Sequence, residues 1–426
     1  MENRRGWLVL VAAATLVGAM LPAAPSAALP RVGIGSAPAS GLGTAPASGL
    51  GSLDAGVLQA LSTSTATQVA FRADISGLGT IGLDPGMGLR PASNNKLLVG
   101  EAALQQLGPG FRFVTGVYSS APIRHGVVHG WLGIQAGGDP SLTTSQLAAM
   151  AEALRKLGLR RVTGNLLLDD SARPVEDTAP GWKAGFVPEY CGPISGFAVD
   201  ENEWRQDPHF VAHPDMGNLS LWRTLLTKEG IAVLGDNYVR RFHTTRRALL
   251  EHRSAPLSAI VASMLTWSDN FVAEMLLDAV GFARDGHGDR LDGLAAVHAE
   301  ARSLRVRLLD DVDGSGLSYD DSESPDTLVS WLEASMRTKV GPILRAGLPV
   351  ACETGTLEYR MCWNGVKGRV RAKTGSLDGV NTLSGFATTA SGRSVVFSIL
   401  LSGVTNVASA LDSIDQAVAV LALSDA

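Results

Sequence analysis

Three short polar groups set the tightest limit on how this chain can fold: Ser93-Asn94-Asn95-Lys96, Ser268-Asp269-Asn270 and Lys373-Thr374-Gly375. Ser93 and Ser268 lie 175 residues apart, and 103 residues separate Asn270 from Lys373. If the three act together, the fold must return to one place three times and carry the intervening chain outward as an insert. The chemistry favours such a meeting. A serine hydroxyl is a weak nucleophile until a base takes its proton, and a neutral lysine amine can do so. A spacing of three at a helix start puts Ser93 and Lys96 on one face of the first turn, where the helix N-terminus favours a developing alkoxide. Ser268 is a hydroxyl able to relay a proton to a leaving nitrogen, with Asn270 as a holder of the substrate backbone. Lys373 is a cation suited to a substrate carboxylate and to lowering the Lys96 pKa by like-charge repulsion. Gly375 leaves room for a ligand to approach the backbone. Each group alone is common. Their order is what makes them specific.

With 426 residues, 45% of them hydrophobic, the chain is long enough for two ordinary domains and a sizeable core. A net charge of −5, read as lacking a basic run, argues against nucleic-acid binding. Arg4 and Arg5 precede the apolar run Trp7 to Leu21, and Ser26-Ala27-Ala28 follows. This is the pattern of an export signal over residues 1–28, too short for a membrane span of about twenty apolar residues. The expected location is therefore periplasm, cell wall or extracellular space, with membrane association only through an uncleaved signal. Two copies of an eight-residue unit, Ala-Pro-Ala-Ser-Gly-Leu-Gly-Thr/Ser, follow at 37–44 and 45–52, and residues 29–52 read as a flexible tether. Cys352 and Cys362 are spaced to close a short loop or to remain as buried thiols, and Cys191 makes the number odd.

Hydrophobic periodicity places a hairpin around Val69–Ala73, a helix from about Ser93, strand-like runs from 113 to 252, and helices from 257. A closing hairpin (379–388, 394–401) and an amphipathic helix through Val407, Leu411, Ile414 and Val418 end the chain. The expected architecture is α+β: a domain from 53–112 and 253–426, interrupted by an inserted, mainly β domain at 113–252. His209 and His213, with Asp207 and Asp215, read as a proline-broken loop rather than a metal site, and neither metal nor cofactor is expected. Asp313-Gly-Ser-Gly-Leu-Ser reads as a tight turn supporting a site.

The chain resembles the low-molecular-mass class C penicillin-binding proteins, the D-alanyl-D-alanine carboxypeptidases/endopeptidases of peptidase family S13. The resemblance runs over roughly 53–424. It is carried by the three groups above together with Gly138-Asp-Pro-Ser-Leu, Ala179-Pro-Gly-Trp, Asp313-Gly-Ser-Gly-Leu-Ser, Gly355-Thr-Leu and Arg371-Ala-Lys-Thr-Gly-Ser-Leu. It implies a β-lactamase/transpeptidase-like serine acyltransferase domain. Ser93 would be the acylated nucleophile, Lys96 its base, Ser268 and Asn270 the second group, and Lys373 and Thr374 the carboxylate-binding strand. The backbone N–H groups of Ser93 and Ser376 would form an oxyanion hole. Relatives carry two inserted domains between the first two groups, whereas 175 residues leave room for one. The resemblance further implies a pocket for the amino-carboxylate end of a diaminopimelate side chain, placed here at Arg360 and Asp169. An Arg–Asp pair stabilising the domain junction is the alternative role for these two.

The implied partners are peptidoglycan stem peptides as substrates and β-lactam antibiotics as inhibitors. The reaction is hydrolysis of the terminal D-Ala–D-Ala bond through a Ser93 acyl-enzyme, with cleavage of D-alanyl cross-links as a possible second activity of the same chemistry. A β-lactamase is the first alternative, but no Glu-x-x-Leu-Asn segment follows Ser268 to activate water. A catalytically idle wall-binding protein is the second, and three intact groups argue against it.

Overall fold

The computed structural model describes residues 49–171, 178–203, 212–286 and 288–425. The first helix, α1 (Leu50–Leu61), starts inside the second copy of the Ala-Pro repeat. The tether expected to reach residue 52 therefore ends earlier, because Leu50, Leu53 and Val57 join the apolar core. The hairpin β1 (Gln68–Ile75) and β2 (Gly79–Leu83) follows, then a 3-10 turn at Ala92–Asn94 leading into α2 (Asn95–Leu107).

The chain then enters the insert. Its strands are β3 (Val114–Ser119), β4 (Val127–Val128), β5 (Leu132–Gln135), β6 (Arg161–Val162), β7 (Leu166–Asp169), β8 (Ala232–Val233), β9 (Asn237–Val239) and β10 (Leu250–Arg253). Among the described residues two longer helices accompany them, α3 (Thr144–Lys156) and α4 (Pro214–Lys228), with short helical turns at Phe186–Glu189 and Asp200–Asn202. One sheet runs β10-β3-β5-β7-β9 and a smaller one β4-β6-β8. The many short strands match the expected β character, but the two helices make the insert a mixed α/β unit. The reason is topological: β5, β7 and β9 pair in parallel, and parallel neighbours require crossover connections. The α3 start carries a full capping box, Thr143 with Gln146, a signal present in the sequence. β3 and β10 pair antiparallel, so the chain enters and leaves the insert side by side.

The remaining helices are α5 (Leu257–Trp267), α6 (Asn270–Asp285), α7 (Arg290–Leu304), α8 (Pro325–Ser335) and α9 (Gly341–Ala346). Strands β11 (Val370–Leu377), β12 (Val380–Thr388) and β13 (Ser394–Ser402) and helix α10 (Val407–Leu423) complete the fold. The main sheet has the order β11-β12-β13-β1-β2, so the two ends of the chain share it. Strand periodicity sends alternate side chains to opposite layers. Val395, Phe397, Ile399 and Leu401 meet α1 and α10, while Leu400 and Phe386 meet the layer of α2, α5, α6 and α8. On β11, Val370 and Ala372 point to the α1/α10 layer. Lys373 and Gly375, being out of phase with them, face α2 and the 3-10 turn.

Candidate active site

The three polar groups meet where α2, the α5–α6 junction and β11 converge. Ser93 sits in the 3-10 turn and Lys96 in the first turn of α2, both placed by the buried run Leu97 to Leu104. Lys96 Nζ lies 2.9 Å from Ser93 Oγ, 2.8 Å from Asn270 Oδ1 and against the Ser315 carbonyl. Its side chain is fully buried. Burial lowers its pKa to about 8, against the opposing pull of Asp313, Glu274 and Asp269. Desolvation disfavours the charged amine. Burial therefore does the work that the sequence reading had given to repulsion from Lys373.

Ser268 closes α5 in a left-handed conformation, φ 65° and ψ 40°, and Asp269 caps α6 by accepting the Val272 N–H at 2.9 Å. That sharp corner turns Ser268 Oγ to Lys373 Nζ, 2.7 Å away. Lys373 also donates to its neighbour's carbonyl, Thr374 O, at 2.8 Å. It is fully buried, and its pKa falls well below the usual lysine range through burial, with Lys96 adding repulsion. Asn270 bridges two layers: Oδ1 accepts from Lys96, and Nδ2 donates to the Tyr190 carbonyl of the insert at 2.9 Å.

Gly375 has a different use from the one expected. A Cβ there would stand 2.1 Å from Thr382 Oγ1 and 2.9 Å from the Pro91 carbonyl. What approaches its backbone is the nucleophile's own turn. The neighbouring strand fastens that turn, with Thr382 Oγ1 donating to Pro91 O at 2.9 Å. Asn94 Nδ2 donates to Ser384 Oγ at 3.1 Å. Thr374 Oγ1 donates to Thr356 Oγ1 at 2.8 Å, tying β11 to the Gly355-Thr-Leu turn. Gly355 is held at φ 58°, where a Cβ would meet the Thr266 carbonyl at 2.2 Å. Ser376 closes the strand's polar row, accepting from Asn381 Nδ2 at 3.1 Å.

Asp313-Gly-Ser-Gly is a tight turn behind the nucleophile. Asp313 accepts from the N–H groups of Gly316 (2.6 Å) and Ser318 (2.8 Å). A Cβ at Gly316, φ 77°, would be 1.9 Å from the Ala92 carbonyl. Glu274 receives the Ser315 N–H at 2.7 Å, and burial, with Asp313 next, pushes its pKa up to about 8. The Ala179-Pro-Gly-Trp segment docks on this turn: Trp182 Nε1 donates to Asp313 Oδ2 at 2.7 Å, and Ser318 Oγ to Pro180 O at 2.8 Å. Beside it, Lys183 Nζ reaches Tyr319 Oη and Asp378 Oδ2, both at 2.8 Å. The turn at Asp313-Gly-Ser-Gly supports the site as its spacing implied, whereas Glu274, Thr382 and Ser384 carry roles that no motif pointed to. The hydroxyls at 382 and 384, two apart and therefore on one face of the strand, are a signal present in the sequence.

Arg360 and Asp169 are not brought together. Arg360 grips Asp415 of α10 with Nε (3.2 Å) and Nη2 (2.6 Å), both side chains being largely buried. Asp169 Oδ1 accepts from Ser171 N and Oγ at 3.1 and 2.6 Å in a cavity whose lining does not include Arg360. Among the described residues no hydrogen bond or ion pair joins the two, and the guanidinium is paired instead with a carboxylate of α10. Cys352 and Cys362 are disulfide-bonded and Cys191 is a buried thiol, its pKa raised well above normal by burial. Of the four residues considered for a metal, Asp207 and His209 lie outside the described residues, and Asp215 accepts the Phe197 N–H at 3.3 Å. Gly138-Asp-Pro-Ser forms a turn in which Asp139 accepts from Ser141 N and Oγ.

Comparison with known proteins follows the same lines. The family model described as "D-Ala-D-Ala carboxypeptidase 3 (S13) family" matches residues 80–212 and 209–423. A D-alanyl-D-alanine carboxypeptidase of an Actinomadura species is 30% identical over 403 residues, covering 75% of this chain and 74% of that protein. One from Haemophilus influenzae is 27% identical over 73% of this chain and 80% of its own length. In fold, the crystal structure of penicillin-binding protein 4 from Haemophilus influenzae matches with a TM-score of 0.79 at 23% identity, over 85% of this chain and 98% of that one. The same protein in complex with a β-lactam matches with a TM-score of 0.72 at 24% identity, over 86% and 99%.

Proposed function

The chain belongs to the D-Ala-D-Ala carboxypeptidase S13 family, and from that premise we propose that it removes the terminal D-alanine of peptidoglycan stem peptides through an acyl-enzyme on Ser93. The observation that carries the assignment of residues is the continuous polar path Ser93–Lys96–Asn270 with Ser268–Lys373 beside it. In its neutral form Lys96 Nζ takes the proton of Ser93 Oγ, and Oγ attacks the carbonyl carbon of the penultimate D-alanine. The oxygen that gains charge faces the backbone N–H groups of Ser93 and Ser376. As the C–N bond breaks, the departing amine takes a proton through Ser268 Oγ. Lys373 and Thr374 hold the substrate's terminal carboxylate. That anion favours the charged form of Lys373, which burial disfavours. Water then cleaves the ester and frees Ser93. Cleavage of D-alanyl cross-links uses the same steps and differs only in what leaves. Arg4, Arg5 and the apolar run to Leu21 support export, which puts the enzyme where its polymer is.

The test is acylation by labelled penicillin, read by intact mass and peptide mapping. The adduct should map to Ser93, and its rate of formation should rise as pH passes through about 8, where Lys96 loses its proton. Lys96→Ala should slow acylation by about 10²–10⁴-fold with an unchanged circular dichroism spectrum. An adduct on another serine, or normal acylation of the Lys96 variant, would remove these assignments.

A further inference from the structure

Arg240, Arg241, Arg246 and Arg247 fall within eight residues of the insert, with His243 between the pairs. The net charge of −5 conceals this local concentration. Among the described residues no carboxylate pairs with any of the four. Arg240 lies over the Tyr238 ring at 5.5 Å, and Arg241 Nε donates to Ser171 Oγ at 3.0 Å. Those contacts orient two guanidinium groups without a direct ion pair. Arg240, Arg241 and Arg247 are exposed and Arg246 is half-buried.

The strip is anchored by Phe242, whose ring packs on Trp131 (centroids 4.9 Å apart) and Tyr118 (5.9 Å). Gly133 makes this possible, since a Cβ there would stand 2.6 Å from the Phe242 ring. On one side of the anchor a cavity of about 460 Å³ is lined by Arg241 and His243, with Gln135, Asp169 and Ser171. On the other, a cavity of about 500 Å³ is lined by Arg246, Arg247 and Thr245, with Ser119 and Pro122, and has no carboxylate in its wall.

We propose that this strip is a docking site for a linear, base-free polymer of phosphate groups, whose repeating charges engage the two arginine pairs on either side of Phe242. Guanidinium forks match phosphate oxygens two at a time. Six residues separate Arg240 from Arg246, a reach of at most about 20 Å. The two pairs therefore address successive charges on a chain rather than one ion. A nucleic acid fits less well, because single-strand binding relies on free aromatic faces and Phe242 is already packed between Trp131 and Tyr118. The rest of the surface, net negative, repels a polyanion and confines it to the strip. The inference rests on the proposed function only for its setting, a wall in which such a polymer would hold the enzyme near its substrate.

The experiment measures binding of the full chain to fluorescent long-chain inorganic polyphosphate by anisotropy, with penicillin acylation of Ser93 followed in parallel. Binding should weaken by at least about tenfold between 50 and 300 mM salt, as counterion release requires. The quadruple variant Arg240→Gln/Arg241→Gln/Arg246→Gln/Arg247→Gln should lose at least about tenfold in affinity at low salt, with acylation unchanged. If that variant does not fold, Arg246→Gln/Arg247→Gln should still show a smaller salt dependence than the parent. Undetectable polyphosphate binding, or equal binding by the variants, would overturn the proposal. So would tighter binding to single-stranded DNA, to polyglutamate or to phosphatidylglycerol vesicles. Loss of acylation with polyphosphate binding intact would instead count against the catalytic assignment alone.

Discussion

At the scale of single residues, the site is governed by charges taken out of water. Lys96 and Lys373 are both fully buried, and their ammonium forms are disfavoured for that reason first. Burial also drives Glu201, a residue of the insert hydrogen-bonded to Asp269, up to about 9, with the Asp269 charge next in importance. Asp269 itself is raised by burial. The pair therefore shares a proton at the foot of the Ser268 corner. Asp200, Glu201 and Asn202 all hold positive φ values, 48°, 55° and 55°, a strained run that aims Glu201 inward. The sign of the pH effect follows from linkage. Between about 4.5 and 9 the folded protein keeps a proton on the pair that the unfolded chain releases. Stability from this group is fully present below the unfolded value and is lost as pH rises towards 9. Glu201→Gln supplies a permanent donor, so its melting temperature should exceed that of the parent at pH 8 by about 1–3 °C. The gap should shrink towards pH 5. Parallel melting curves for the two proteins across this range would remove the pair's role.

At the scale of elements, the nucleophile's turn depends on close backbone packing more than on apolar burial. It lies against β11 at Gly375 and against the 313–318 turn at Gly316, with no space for a side chain at either place. Gly375→Ala would force Thr382 Oγ1 and the Pro91 carbonyl apart, and those two atoms hold each other by a hydrogen bond. We expect penicillin acylation to fall by about ten- to a hundredfold, the scale of roughly 1.4–2.7 kcal/mol in a barrier. Circular dichroism should show the same secondary structure. A variant that acylates at the parental rate would mean that the turn is positioned by α2 and not by the strand.

At the scale of the molecule, the insert and the catalytic layers are joined by polar contacts around the site. They include Trp182 with Asp313, Asn270 with the Tyr190 carbonyl, Ser318 with the Pro180 carbonyl, and Lys183 with Tyr319 and Asp378. Behind them, Phe271, Met275 and Leu317 pack against Cys191, Ile194 and Ala198 of the insert. The far side is closed by Arg360 on Asp415, which fastens the loop after Gly355-Thr-Leu to α10. Arg360→Ala leaves Asp415 largely buried without its partner and should cost about 1–3 kcal/mol of stability, read from denaturant unfolding. Peptides with and without a diaminopimelate side chain should then be turned over with the same relative rates as by the parent. A loss confined to the diaminopimelate peptide would return Arg360 to the substrate pocket.

What the sequence determined by itself is the chemistry that local spacing can express. The Ser93/Lys96 pair is one helical turn, the Asp269 cap stands immediately before its helix, and the alternation in 69–75 and the β-branched and apolar run of 394–401 are strand properties. All three are legible because their physics spans fewer than ten residues. The turn nature of Asp313-Gly-Ser-Gly was readable for the same reason, though not its use as the acceptor for Lys96. The tertiary structure decided everything that depends on which distant groups share a buried space. It moved the cause of the Lys96 shift from Lys373 to desolvation, gave the emptiness at Gly375 to Pro91 instead of to a ligand, and paired Arg360 with Asp415 instead of Asp169. It also turned a run of short strands into an α/β insert with a mixed sheet. A charge or a missing Cβ is visible in one residue, but its partner is chosen by packing between segments far apart in the chain.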